Sequence, residues 1–399
     1  MLKRRLLNID YMILISVLIL IGIGIIVVFS TQQQVYEKLH WSNSFVKHIL
    51  NIGVGIIALL LGLIIPLKRI ANTVLLFLLS LLTVIILFAV ILSGKFVNGA
   101  SRWFSLGVLS FQPSELAKIV LIFYTSHYIC RKRGKSKQNA KWSWGLLVVI
   151  GGIIALIALE PDISTALVLL ILIIGFFFVG GVPIKFSLVL ITSVILIGFI
   201  LYLMPVNRFK HIGKRVDDYI VHITESDESN SHPQVLNSML AFANGGVFGR
   251  GLGKGELKNG AFIPEIDKDM VIAAIGEEMG MLGVMVVIAI FLIILIFGFK
   301  VASGVYQYDK FMYFLSVGIS LNIFLYAIIH AFISIGLLPS TGLPLPFISY
   351  GGSAMVTNLF LIGVLLNISS SAKELAYQDR VDKYNAMISA GINTRSTIV

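Results

Sequence analysis

Cysteine is nearly absent from this chain: among 399 residues only Cys130 carries a thiol. One thiol excludes an intramolecular disulfide and any metal or redox site built from cysteines. Charge is scarce too. Asp, Glu, Lys and Arg make up 13% of the residues, where soluble domains carry about a quarter. Acids are the scarcer sign, 20 against 31 bases, and the net charge is +11. No basic patch interleaved with aromatics and no DNA-binding motif accompanies that excess, which argues against a nucleic-acid partner. The positive charge suits topogenic loops and attraction to anionic membrane lipids instead. The glycine-rich stretches carry neither the P-loop nor the dinucleotide-binding pattern, so no nucleotide cradle of those kinds is present.

Apolar sequence is what the chain has in abundance. Hydrophobic residues make up 57% of it, and the mean hydropathy is +0.94. The excess comes as repeated runs long enough to cross a hydrocarbon core, which takes roughly 20 apolar residues per helix. The expected fold class is all-α and polytopic, with ten transmembrane helices over 11–30, 46–66, 73–93, 115–130, 143–159, 164–181, 186–205, 270–298, 311–335 and 353–370. The first run is too long for a signal-peptide core and no small-residue cleavage site follows it, so it is expected to remain as a span. Between Arg131 and Lys141 lie six bases and no acid, and Lys3, Arg4 and Arg5 precede the first span. Short basic loops stay in the cytoplasm, so both termini are expected on that side. Residues 31–45, 94–114, 206–269 and 336–352 then face outward, with 206–269 a large extracellular loop between helices 7 and 8. Residues 1–372 read as one transmembrane domain, and 373–399 as a polar cytoplasmic tail.

Nearly all of the irregular, glycine- and proline-rich sequence falls on the outer side, where it can line a cavity. Four groups there could carry chemistry. In NGASRWFSLGVLSFQPSELAK, Arg102 and Trp103 sit on a short amphipathic stretch, and Glu115 and Lys118 share a helix face three residues apart. Ionisable groups within a span are costly and default to function, with an intrahelical ion pair as the plainer alternative. In EPDISTA, Asp162 either caps the next helix or faces the cavity. The glycine loop 244–255 offers backbone amides with Arg250 and Lys254, a combination able to hold a diphosphate. Finally, FIPEIDKDMVIAAIGEEMG crowds Glu265, Asp267, Asp269, Glu277 and Glu278 into one run. Asp269 stands at the mouth of the eighth span, where an acid more often complements the helix dipole than serves as a base. Glu277 and Glu278 lie deeper and suit buried partners for cations such as Lys118, or polar groups that specify packing.

These blocks, with GEEMGMLG and LLPSTGLPLPFISYGGSA, resemble the SEDS family (shape, elongation, division and sporulation) of the FtsW, RodA and SpoVE group. They occur in family order over about positions 10 to 370, which is most of the chain. The loop LNSMLAFANGGVFGRGLGKG looks closest to division-type, FtsW-like members from low-GC Gram-positive bacteria. The resemblance implies a peptidoglycan glycosyltransferase in the cell membrane that polymerises lipid II on the extracellular side, for division or elongation. It implies a class B penicillin-binding protein, a transpeptidase, as partner. It makes Asp269 the essential acidic residue, the candidate base for catalysis, and picks out Arg102, Glu115 and Lys118; with Arg250, Lys254, Glu265, Ser349 and Tyr350 these form the expected substrate-binding set. A divalent cation, Mg or Mn, is an option beside them. A lipid II flippase or a non-catalytic scaffold for the penicillin-binding protein are the rival readings. The chain departs from the family pattern at Lys268, where Thr is common, and at Met270, where an aromatic often stands. It departs again at His330, Ala331 and Phe332, where Asn-Ile-Gly is frequent. A cation at Lys268 would weaken Asp269 as a proton acceptor unless burial offsets it.

Overall fold

The computed structural model describes residues 5, 7–32, 43–93, 95–97, 100–106, 109–133, 144–160, 162–203, 233–256, 266–339 and 342–389. The elements in order are α1 (Tyr11–Gln32), α2 (Asn43–Ile64), the single turn α3 (Leu67–Ile70) and α4 (Thr73–Ser93). Three short strands follow, β1 (Lys95–Val97), β2 (Ala100–Leu106) and β3 (Leu109–Phe111). Next come α5 (Pro113–Arg133), α6 (Trp144–Leu159), α7 (Ile163–Gly180), α8 (Ile184–Leu203) and α9 (Pro233–Gly245). The chain closes with α10 (Val271–Val305), α11 (Lys310–Ser334) and α12 (Gly352–Ser389). Every segment expected to span is helical. Seven of these helices are long and apolar enough to cross a membrane, by length and composition. Large apolar side chains such as Leu78, Ile85 and Phe178 are exposed on their flanks, as lipid-facing positions are.

Among the described residues the departure from an all-α fold is the small antiparallel sheet β1-β2-β3. The stretch around Arg102 and Trp103 is its central strand, with Trp103 opposite Lys95 and Phe104 opposite Phe111. Pairing satisfies its backbone, and β3 then leads directly into Pro113, which starts α5 without needing an N–H. A second difference lies at the end of the chain. The polar segment from Lys373 continues α12 without a break to Ser389, about 25 Å of helix beyond the span at 1.5 Å per residue. Its Lys373 is tied to the start of the bundle through the Ile9 carbonyl at 3.0 Å.

Glycines let α2 and α12 approach to backbone contact. A side chain at Gly62 would meet the Phe360 carbonyl at 2.5 Å, one at Gly363 would strike the Leu59 carbonyl, and Leu359 packs over Gly55. Without a hydrophobic drive between helices in lipid, such close packing of small residues is a main source of association. Asn367 then caps the inner end of α2, donating to the carbonyls of Gly62 at 3.1 Å and Ile65 at 2.8 Å. Gly363→Val is therefore expected to destabilise the protein by about 1–3 kcal/mol through overpacking. Thermal unfolding in detergent should show this as a lowered midpoint, with the lipid-facing Leu78→Val close to wild type as control.

Candidate active site

The eighth predicted span is two helices. Gly280, at φ 70°, breaks α10 between a short N-terminal piece ending at Met279 and the long C-terminal piece. A break at this depth frees backbone groups that hydrocarbon cannot satisfy. The glycine loop after α9 supplies the partners. Arg250 N–H donates to the Glu277 carbonyl at 2.9 Å and Gly251 N–H to that of Glu278 at 3.0 Å, while Met281 N–H donates to Gly246 at 2.9 Å. Side chains at Gly245 or Gly249 would collide with the α10 backbone, which explains the run of glycines. The Glu278 carboxylate is buried and accepts from Ser30 Oγ of α1 at 2.7 Å and from Gly253 N–H at 3.0 Å. The expectation that these amides cradle a diphosphate is thus corrected: those of Arg250, Gly251 and Gly253 are bonded to α10. The Arg250 and Lys254 side chains are exposed, with Arg250 Nε anchored on the Asn244 carbonyl at 2.9 Å.

At the N-terminal mouth of α10, Ile266–Asp269 forms a tight turn and Met270 is the N-cap. Asp267, Lys268 and Asp269 are half-buried there. The segment 342–351 folds in over this turn and satisfies its backbone. Tyr350 N–H donates to the Asp267 carbonyl at 2.8 Å, and Ser349 Oγ donates to that of Lys268 at 2.7 Å while accepting from Leu345 N–H at 2.9 Å. Gly342 faces the Asp269 carboxylate with room for about one methyl group between them, since a Cβ on it would sit 3.4 Å from Oδ2. Phe347 adopts a left-handed φ of 66°, a strained conformation for a bulky residue, and is locked by burial against Phe291. Ser349 and Tyr350, expected to bind substrate, therefore hold the Asp269 turn in place. The neighbouring cation also has a role, since the Lys268 ammonium lies 5.7 Å from the Tyr350 ring centre.

A second cluster sits deeper. Lys118 Nζ and Glu115 Oε2 are 2.6 Å apart and both side chains are buried. Thr357 Oγ1 donates to the same Glu115 oxygen, Lys118 reaches Asn358 Oδ1 at 3.4 Å, and its ammonium lies 4.6 Å from the Tyr326 ring centre. Glu277 and Glu278 are not the partners of Lys118, as expected from the sequence; the closer carboxylate three residues away on its own helix is. Asp162 is a helix cap with further partners on the neighbouring element. It caps α7 through Thr165 N–H at 3.4 Å and accepts from Gln112 Nε2 at 3.1 Å and Ser114 Oγ at 3.4 Å. Arg102 lies on β2 by its backbone, its side chain and Glu265 lying outside the described residues.

Residues 349–358 join the two clusters, since Ser349 and Tyr350 serve the first and Thr357 and Asn358 the second. Sequence reasoning missed Thr357, Asn358, Tyr326 and His330, which look like ordinary polar interruptions of a span. The available signal was that buried polar groups at membrane depth default to function. No group of three His, Cys, Asp or Glu suited to a metal occurs among the described residues, so those residues do not by themselves fit the optional divalent cation.

A polytopic helical membrane protein with one acid presented at the mouth of a broken helix is the class this architecture defines. The chain matches the FtsW/RodA/SpoVE family, described as cell cycle proteins, over residues 10–374, and it belongs to that family. It is 34% identical over 373 residues to a probable peptidoglycan glycosyltransferase FtsW of Trichlorobacter lovleyi, covering 92% of this chain and 95% of the relative. A Burkholderia thailandensis protein of the same description is 30% identical over 390 residues, covering 95% and 81%. The fold is that of rod shape determining protein RodA of Thermus thermophilus, with TM-score 0.64, 21% identity and coverage of 91% and 97%. A chain from a peptidoglycan synthase complex that coordinates polymerization and crosslinking gives TM-score 0.69 at 22% identity, covering 92% and 99%.

Breaking the buried pair from one side leaves an uncompensated charge. Glu115→Gln and Lys118→Met are each expected to cost about 3–5 kcal/mol. The double substitution should cost clearly less than their sum, as a double-mutant cycle on thermal unfolding would read out.

Proposed function

We propose that this chain is a peptidoglycan glycosyltransferase that polymerises lipid II, with Asp269 as its base and the outer membrane face as its working side. The observation that carries the assignment is the Asp269 turn, held at the mouth of α10 by Tyr350, Ser349 and Gly342. Glycan extension forms a C–O bond between a sugar hydroxyl and an anomeric carbon as the lipid diphosphate leaves. A carboxylate fixed within hydrogen-bond reach of that hydroxyl takes its proton as the bond forms. Charge on the leaving diphosphate is offset by the exposed Arg250 and Lys254, with Arg102 on the adjoining sheet a further cation for it. Lys118 is committed to Glu115 and acts through the fold.

The likeness to a chain from a synthase complex that polymerises and crosslinks supports a transpeptidase, a class B penicillin-binding protein, as partner. Relatives named FtsW at 30–34% identity support a division role. A fluorescent fusion of the full chain is accordingly expected to gather at the septum; enrichment along the side wall would assign it to elongation.

Asp269→Asn keeps the shape of the side chain and removes the proton acceptor. Purified variant is expected to lose polymerisation by about 10²–10⁴-fold, the usual contribution of a general base, with its unfolding midpoint unchanged. Wild-type rates of glycan formation from lipid II in that variant would sink the assignment.

A further inference from the structure

On α11, Asn322, Tyr326 and His330 follow at intervals of four and so share one face, all fully buried. Tyr326 receives the Lys118 ammonium. His330, one turn nearer the outer end, has its Nδ1 2.8 Å from the Leu343 carbonyl. A carbonyl oxygen only accepts, so Nδ1 carries the proton and Nε2 is left with a bare lone pair. Among the described residues Nε2 has no hydrogen-bond partner. The ring's one hydrogen bond is therefore the one to Leu343. That carbonyl belongs to the residue after Gly342, which faces the Asp269 carboxylate across about the width of a methyl group: a Cβ on it would sit 3.4 Å from Oδ2.

We propose that His330 is a positioning residue for Asp269: its Nδ1–H fixes the Gly342–Leu343 backbone, and that backbone sets where the carboxylate can sit. The contact chain runs from α11 through two consecutive residues to the acid, with buried Leu343 and Leu345 leaving the segment little room to move otherwise. Tyr350 and Ser349 hold the backbone of the turn, at Asp267 and Lys268, but neither bond reaches the Asp269 side chain. His330 supplies the hold on that side. An Asn at this position could make the same donation, because its amide nitrogen falls close to where Nδ1 lies. A Gln amide extends to the region of Nε2 and could not.

The proposal rests on Asp269 being the base, and the test separates the two. Full-length protein carrying His330→Asn, His330→Gln, His330→Leu or Asp269→Asn would be assayed for lipid II polymerisation, with kcat and KM measured separately. His330→Asn should keep turnover within about twofold of wild type. His330→Gln and His330→Leu should lower kcat by about 10- to 100-fold, the usual effect of misplacing a reacting group by an ångström, with KM within about twofold. If His330→Leu fails to yield folded protein, the Asn and Gln pair decides: Gln matching or exceeding Asn overturns the proposal. An inactive Asp269→Asn beside a fully active His330→Leu would overturn the positioning role and leave the base standing. An active Asp269→Asn would overturn both.

Discussion

Irregular backbone at the edge of a hydrocarbon layer must find its hydrogen bonds inside the protein, because the membrane offers none. The mutual satisfaction of two such stretches is what the rest of this structure depends on. The turn Ile266–Asp269 exposes the carbonyls of Asp267 and Lys268, and the segment 342–351 arrives with a backbone N–H at Tyr350 and a hydroxyl at Ser349 to meet them. Neither stretch could hold its shape at that depth alone. Gly24 of α1 adds a close approach, since a Cβ there would come within 2.8 Å of the Ile348 backbone. The acid is thus presented by rigid, paired backbone, which favours a reaction that depends on orientation.

The same constraint repeats lower down at Gly280. A continuous α10 would need no loop against it. Broken, it needs the amides of Arg250 and Gly251, and it receives them from a strap made of glycines that allow backbone-to-backbone contact. The Glu278 carboxylate extends the arrangement sideways by taking Ser30 of α1. The N-terminal piece of α10, which begins just after Asp269, is consequently fixed at both of its ends by segments remote in sequence.

Much of this was legible in the sequence, and the illegible parts share a cause. Long apolar runs announced the helices because a membrane span leaves a signature in composition alone. Asp269 was singled out through its setting in a family-like run, and Glu115 and Lys118 through their cost inside a span. What the residues themselves could not reveal was pairing at a distance. The sequence offered Lys118 both Glu115 on its own helix face and the distant Glu277 and Glu278; the pair with Glu115 forms, while the partners Thr357 and Asn358 that arrive from α12 were hidden. Glycines suggested a diphosphate cradle, yet their amides were needed by a helix break that periodicity could not reveal. The strands around Arg102 were equally hidden, since an amphipathic stretch of seven residues suits either regular structure.

The two polar clusters are best understood as one object. Residues 349–358 run directly from the Asp269 turn into the Glu115–Lys118 pair, and α11 spans the same distance on another side through Tyr326 and His330. A buried ion pair is a poor source of net stability, because desolvation offsets most of the attraction. Its value lies in specificity: the pair tolerates only arrangements of α5, α11 and α12 that keep Thr357, Asn358 and Tyr326 on it. Those arrangements also fix where the segment between α11 and α12 can lie, and that segment is the one folded over Asp269. Lys268 fits the same account, since its ammonium faces the Tyr350 ring, a residue of that segment. The cation beside the acid is tied to the device that positions it.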